Sequence, residues 1–195
     1  VQGSKQEDGE IVAYGENIML GYHNLPEKTN ETITPDGGLR TGDLGHLDSE
    51  NYLYITGRVK EQYKLDIGEY VAPAPLEETL KLSAYIDQVM IYGFNRPNNV
   101  ALIVAAMPAV EQFAQKNGIS GSAESILKES SIRDLFREEL SVYGRNFKSF
   151  EHPQNFALLA EEWSIENGLL TPTLKLKREV VELKFKEQIE SLYAE

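Results

Sequence analysis

The alternation of apolar and polar positions divides the chain into a leading stretch of short strands and turns and a longer stretch that mixes strands with helices. Residues 9–15 form a short apolar run between glycines, and residues 18–22 form another; each reads as a strand. Residues 26–33 resemble a short helix with Pro26 in its first turn. Pro35-Asp36-Gly37-Gly38 is a turn. Residues 39–43 lead into 44–47, and 48–51 turn the chain back into 52–55, which predicts a hairpin. Residues up to about Gly57 therefore predict a small antiparallel β unit.

A pivot follows. Residues 63–67 alternate, and Gly68-Glu69 turns them into Tyr70-Val71, a short hairpin. Pro75 opens a helix carrying an apolar stripe of Leu76, Leu80 and Leu82. Residues 88–92 and 100–107 are strands joined by 93–99, and the second is so uniformly apolar that it is expected at the centre of its sheet. Pro108 starts a helix ending at Gly118. Ser131 or Ser130 caps the next helix, with Ile132, Leu135, Phe136, Leu140 and Tyr143 on one face. Residues 155–160 form a further strand, 166–168 a turn, 169–177 an extended loop, and 178–193 a terminal helix burying Val181, Phe185, Ile189 and Leu192. The fold class expected is α+β.

Composition narrows the function. With 195 residues and 41% hydrophobic positions, the chain has enough apolar material for a packed core. A formal net charge of -12 argues against nonspecific nucleic-acid binding and against adhesion to anionic lipid. There is no cysteine, which removes disulfides, zinc-thiolate sites and a thiol nucleophile. The longest apolar run, 100–107, is far short of the roughly 20 residues of a membrane helix. No leader pattern is visible at residues 1–5, and a start at Val1 rather than Met points to a fragment of a longer protein. His23, His46 and His152 lack ligand spacing, so no metal site is expected.

Against this acidic background the basic groupings matter. Arg58, Lys60 and Lys64 cluster at the pivot, where an anionic ligand or a moving element would be handled. Asp43, after Gly42, offers a carboxylate able to accept two hydroxyl protons, as a ribose diol requires. The plainer reading is a turn aspartate bonding its own backbone, with Arg58 in a surface ion pair. Residues 170–178 form a second basic patch, in which an ammonium on a loop could stabilise charge developing on phosphate or carboxylate oxygen. Here the plainer reading is an edge strand with solvated Lys175 and Lys177. No phosphate-cradling G-x-x-x-x-G-K-[ST] is present.

Gly9-Glu10-Ile11 through Gly21-Tyr22, Arg40-Thr41-Gly42-Asp43, Gly57-Arg58 with Lys60, and residues 170–178 occur in the order found in adenylate-forming enzymes. Together with Lys64-Leu65 ahead of Gly68-Glu69-Tyr70-Val71, and with the whole of 166–178, the chain resembles the C-terminal part of a long-chain fatty-acid–CoA ligase. The resemblance implies that residues 1–58 are the last β subdomain of a large adenylation domain. Residues 59–195 would then be the mobile C-terminal α+β lid domain. It implies ATP, Mg2+ and CoA as substrates and cofactors, and a fatty acid activated to an acyl-adenylate and then passed to CoA. Asp43 would hold the ribose hydroxyls, Arg58 the nucleotide, Lys60 the hinge, and Lys64 the adenylate. Lys175 would bridge ATP phosphate and carboxylate, and Gly68 would meet the pantetheine arm. Thr173-Leu174 stand where some relatives carry Ser-Gly, which leaves Lys177 as a rival register for Lys175.

The resemblance places the phosphate loop, acyl pocket and adenine-binding aromatic in an N-terminal adenylation domain upstream of Val1, so this chain alone is expected to make no acyl-CoA. It implies a cytoplasmic protein, with peripheral membrane association as an open option. Three alternatives stay open: an acyl-carrier-protein ligase, a luciferase-like monooxygenase, and a noncatalytic α+β binding module.

Overall fold

A computed structural model describes residues 8–194. Residues 1–7, on which the reading of the chain's start rests, lie outside that range. The chain is α+β and forms two compact units, one extending to Gln62 and one beginning at Tyr63.

In the first unit, β1 (Gly9–Ala13), β2 (Leu39–Leu47) and β3 (Leu53–Arg58) make an antiparallel sheet in the order β1-β2-β3. The hairpin β2–β3 turns where expected. Asp48 closes it: its Oδ1 accepts the N–H groups of Glu50 and Tyr52, both at 2.9 Å. Helix α1 (Pro26–Thr32) starts on its proline. The strand expected at residues 18–22 does not form. Ile18 N–H closes a turn onto Gly15 O at 3.2 Å, and Tyr22 N–H donates to Thr29 Oγ1 at 2.9 Å, so this backbone is satisfied locally and gains nothing from a ladder. No apolar side chain of this unit is buried among the described residues.

The second unit opens with the expected hairpin of β4 (Tyr63–Lys64) and β5 (Tyr70–Val71). Helix α2 (Pro73–Leu80) begins at Pro73 rather than Pro75 and ends at Leu80. Leu82 therefore falls outside the stripe, and it is exposed. Strands β6 (Ile86–Tyr92), β7 (Asn99–Ala105) and β8 (Pro153–Leu159) form one sheet in that order, β6–β7 antiparallel and β7–β8 parallel. The central strand is β7, as its composition required. Ala101, Ile103 and Ala105 face one core, with Leu76, Leu80, Ile132 and Phe136. Val100, Leu102 and Val104 face the other, with Trp163, Val181 and Ile189. A strand covered on both faces has no polar side to show.

The parallel β7–β8 crossover is carried by α3 (Met107–Lys116), the short α4 (Ala123–Ile126) and α5 (Ser130–Gly144). Helix α4 had no periodicity to announce it; Ser122 caps it by accepting from Ser125 N–H. Neither Ser131 nor Ser130 caps α5. Both lie inside its first turn, Glu129 occupies the cap position, and no side chain bonds there. The terminal helix is broken into α6 (Arg178–Lys184) and α7 (Lys186–Ala194) at Phe185, whose φ of -105° and ψ of 20° depart from helix while its ring stays in the core. No helix among the described residues is long and apolar enough to cross a membrane.

Candidate functional site

Asp43 sits in the middle of a nine-residue strand, not at a turn. Opposite β1, Arg40 pairs with Val12 and Leu44 with Glu10, so Thr41, Gly42 and Asp43 bulge against Ile11 alone. Gly42 supplies the left-handed φ of 75° that the bulge needs. Thr41 stitches it by donating to Ile11 O at 2.8 Å and accepting from Asp43 N–H at 3.1 Å. The bulge aims Asp43 at its cross-strand partner Arg58, whose Nε donates to Asp43 Oδ1 at 2.6 Å. The hydrogen bond and charge of Asp43 push the Arg58 pKa further up from its ordinary value. Asp43 and Arg58 thus form a surface ion pair in this structure. Asp43 Oδ2 and the Arg58 Nη groups have no partner among the described residues. Lys60 lies in a single 3₁₀ turn, Val59–Glu61, directly after β3, with its side chain exposed.

In the second unit the β4–β5 hairpin carries Lys64 and Gly68. Gly68 has a φ of 94° and donates its N–H to Leu65 O at 3.0 Å, while Leu65 N–H donates to Glu69 O at 2.9 Å. A side chain at Gly68 would meet open space, so the requirement for glycine is conformational. Lys64 is exposed, with its ammonium 5.5 Å from the Tyr70 ring centroid. The hairpin is held from below. Leu65 is buried, Asn95 N–H donates to Lys64 O at 3.0 Å, and Asp66 N–H donates to Arg96 O at 3.0 Å. Tyr63 donates to Asn99 Oδ1 at 2.7 Å, and Asn99 in turn donates to Phe150 O and Glu151 O. Gly93 makes room for this, since a Cβ there would fall 2.2 Å from Asn99 Oδ1. Burial, with Glu77 nearby, pushes the Tyr63 phenol well above its ordinary value.

Lys175 lies on a second hairpin, where an extended loop was expected. Leu174 N–H donates to Thr171 O and Thr171 N–H to Lys175 O, both at 2.8 Å, and Leu170 bridges Leu176. Pro172 and Thr173 make the turn, and Leu174 takes the left-handed position with φ 60°, which glycine usually fills. The alternation of leucine and lysine was the signal for this hairpin: Leu176 is half-buried, while Lys175 and Lys177 are exposed. No hydrogen bond or ion pair engages either ammonium among the described residues. A groove of about 750 Å³ runs between α5, β8 and α7, past Arg133, Phe156 and Gln188; none of the candidate residues lines it. The exposed lysines lie instead on the two hairpins, Lys64 on the first and Lys175 with Lys177 on the second.

Residues 60–132 match the family model described as the AMP-binding enzyme C-terminal domain. Those residues and the chain around them are similar to the C-terminal part of adenylate-forming enzymes. Within that class it is similar to long-chain-fatty-acid–CoA ligases: 38% identical to ligase 5 of Mus musculus over 97% of this chain, and 35% identical to ligase 1 of Homo sapiens over 96%. It spans only 28% and 27% of those relatives' lengths. Among solved structures, the adenylation domain of a carboxylate reductase from Mycobacterium chelonae superposes over 100% of this chain and 29% of its own, with a TM-score of 0.78 at 28% identity. The A domain of a carboxylic acid reductase from Segniliparus rugosus, in complex with AMP and a co-purified carboxylic acid, matches 96% of this chain and 28% of its own, with a TM-score of 0.75 at 28% identity.

Proposed function

We propose that this chain is the lid, hinge and last β subdomain of an ATP-dependent long-chain fatty-acid–CoA ligase. The longer enzyme activates a fatty acid with ATP and Mg2+ to an acyl-adenylate and transfers the acyl group to CoA. The observation that carries this reading is the pair of lysine-bearing hairpins in one compact unit: Lys64 and Gly68 on β4–β5, and Lys175 on 169–177. Each is exposed and braced by backbone hydrogen bonds. Two chemically different steps on one adenylate need two different sets of stabilising groups.

In this reading residues 1–58 complete the large adenylation domain and 59–195 are the lid. What supports a separate β subdomain is that the first unit, which extends to Gln62, buries no apolar side chain among its described residues and leaves Tyr52, Leu53, Tyr54 and Ile55 exposed in succession. An edge strand apolar and open on both faces calls for cover from another part of the protein. Asp43 accepts the ribose hydroxyls on its free oxygen while Arg58 turns its Nη groups to the nucleotide. Lys60, in the 3₁₀ turn near the end of the first unit, is the hinge residue. The Lys175 ammonium neutralises charge between α-phosphate and carboxylate as the adenylate forms, without any covalent bond to the enzyme. Gly68 admits the pantetheine arm close to the backbone, and Lys64 meets the adenylate from the same hairpin. Membrane association, if the longer protein has it, is peripheral as far as this chain contributes, and the location is cytoplasmic.

The experiment is Lys175→Ala beside Lys177→Ala in the longer protein. Lys175→Ala is expected to lower ATP–pyrophosphate exchange by roughly 10²-fold or more, the scale of losing one charge-stabilising group, and Lys177→Ala is not. The converse result would move the catalytic ammonium to Lys177, and no loss from either would overturn the reading. Acyl transfer to CoA but not to a carrier protein separates this ligase from an acyl-carrier-protein ligase.

A further inference from the structure

The outer edge of β6 is closed by side chains rather than by a strand. Ile91 directs its N–H and its carbonyl away from β7. Its N–H donates to Glu77 Oε1 at 2.7 Å, and its carbonyl accepts from Arg178 Nη1 at 3.4 Å. Glu77 Oε2 and Arg178 Nη2 form an ion pair with each other. Glu77 is buried in α2, just beyond β5, and Arg178 is the first residue of α6, three positions after Lys175. A planar guanidinium and a planar carboxylate bridging one peptide reproduce the donor and acceptor that a paired strand would offer. The consequence is mechanical. The foot of the Lys175 hairpin is bolted to the sheet at Ile91 and to the helix that follows the β4–β5 hairpin.

From this geometry we propose that Arg178 is a positioning residue for the adenylation step, acting through Lys175. The inference rests on Lys175 being the adenylation lysine. The backbone between them is short and already committed: Leu176 bridges Leu170, and Lys177 N–H donates to Leu169 O at 2.9 Å. Rotation of α6 about this foot therefore displaces the Lys175 ammonium. A displacement of about 1 Å from a reacting centre is enough to cost on the order of 10²-fold in rate.

The test uses the longer protein with Arg178→Met, Arg178→Lys and Lys175→Ala in parallel. It reads ATP–pyrophosphate exchange, thioester formation from supplied acyl-adenylate, and thermal unfolding. Arg178→Met is expected to lower exchange by roughly 10²-fold while thioester formation stays within about 3-fold. Arg178→Lys, which keeps the charge but loses the fork, is expected to fall between wild type and Met. Equal losses in both half-reactions, tracking the folded fraction, would mean a purely structural ion pair and overturn the proposal, as would unchanged exchange. If Arg178→Met fails to fold, Glu77→Gln, which preserves volume and an acceptor for Ile91 N–H, gives the same two readings. Exchange that survives Lys175→Ala refutes the reading of Lys175 itself. Exchange lost in Lys175→Ala but intact in Arg178→Met refutes only the role of Arg178.

Discussion

Asn99→Ala removes the polar peg that joins the β4–β5 hairpin to the central sheet. Asn99 is fully buried at the start of β7. It accepts from Tyr63 Oη at 2.7 Å and donates to Phe150 O at 3.1 Å and Glu151 O at 2.8 Å. Each bond contributes about 1 kcal/mol net, so the direct loss is about 3 kcal/mol. Two opposing effects adjust it. The stranded Tyr63 hydroxyl adds a desolvation penalty, whereas water can enter the space left by the amide and serve the two half-buried carbonyls. The expected cost is about 3 kcal/mol, against about 1 kcal/mol for Tyr63→Phe, which breaks one of the three bonds. Urea unfolding followed by circular dichroism measures both, and m should not change. A cost below about 1 kcal/mol for Asn99→Ala, or equal costs for the two variants, would refute the idea that one side chain ties three elements together.

A chain cut to residues 63–195 is expected to unfold cooperatively, because every buried apolar side chain among the described residues lies in it, whereas residues 8–62 alone should show no cooperative transition by calorimetry. The phenols of Tyr63 and Tyr193 both have pKa values raised by burial above the ordinary 10.0. A raised acid favours its neutral form in the fold. Their contribution is therefore complete below about pH 10 and is lost above it, as the unfolded chain ionises first. Tyr63→Phe should flatten the fall in stability measured by denaturant titration between about pH 10 and pH 11.

Much of this was legible because local pattern and tertiary demand agreed. The uniform run in β7 read as a strand central in its sheet, and the fold covers it on both faces; Gly68-Glu69 set the turn between two alternating pairs. Legibility failed where the deciding partner was distant or the rule was broken locally. Asp43 reads as a turn residue until β1 is known to pair so as to leave Thr41, Gly42 and Asp43 facing Ile11. Residues 18–22 have the composition of a strand, yet Leu20 is fully exposed because the backbone finds its bonds at Gly15 and Thr29. The terminal periodicity runs unbroken through Phe185, since a break that keeps the ring in the core leaves the apolar spacing intact. Leu174 carries no mark of the left-handed position, which glycine would have announced. Glu77 and Arg178 are 101 residues apart, and neither has a local feature naming the other.

The most direct test of the central claim, that the two hairpins serve different half-reactions, is a paired measurement in the longer protein. Gly68→Val and Lys175→Ala are compared for ATP–pyrophosphate exchange and for thioester formation from supplied acyl-adenylate. The account requires opposite losses: Gly68→Val lowers thioester formation by roughly tenfold or more with exchange near wild type, and Lys175→Ala does the reverse. Loss of the same half-reaction in both variants would contradict it.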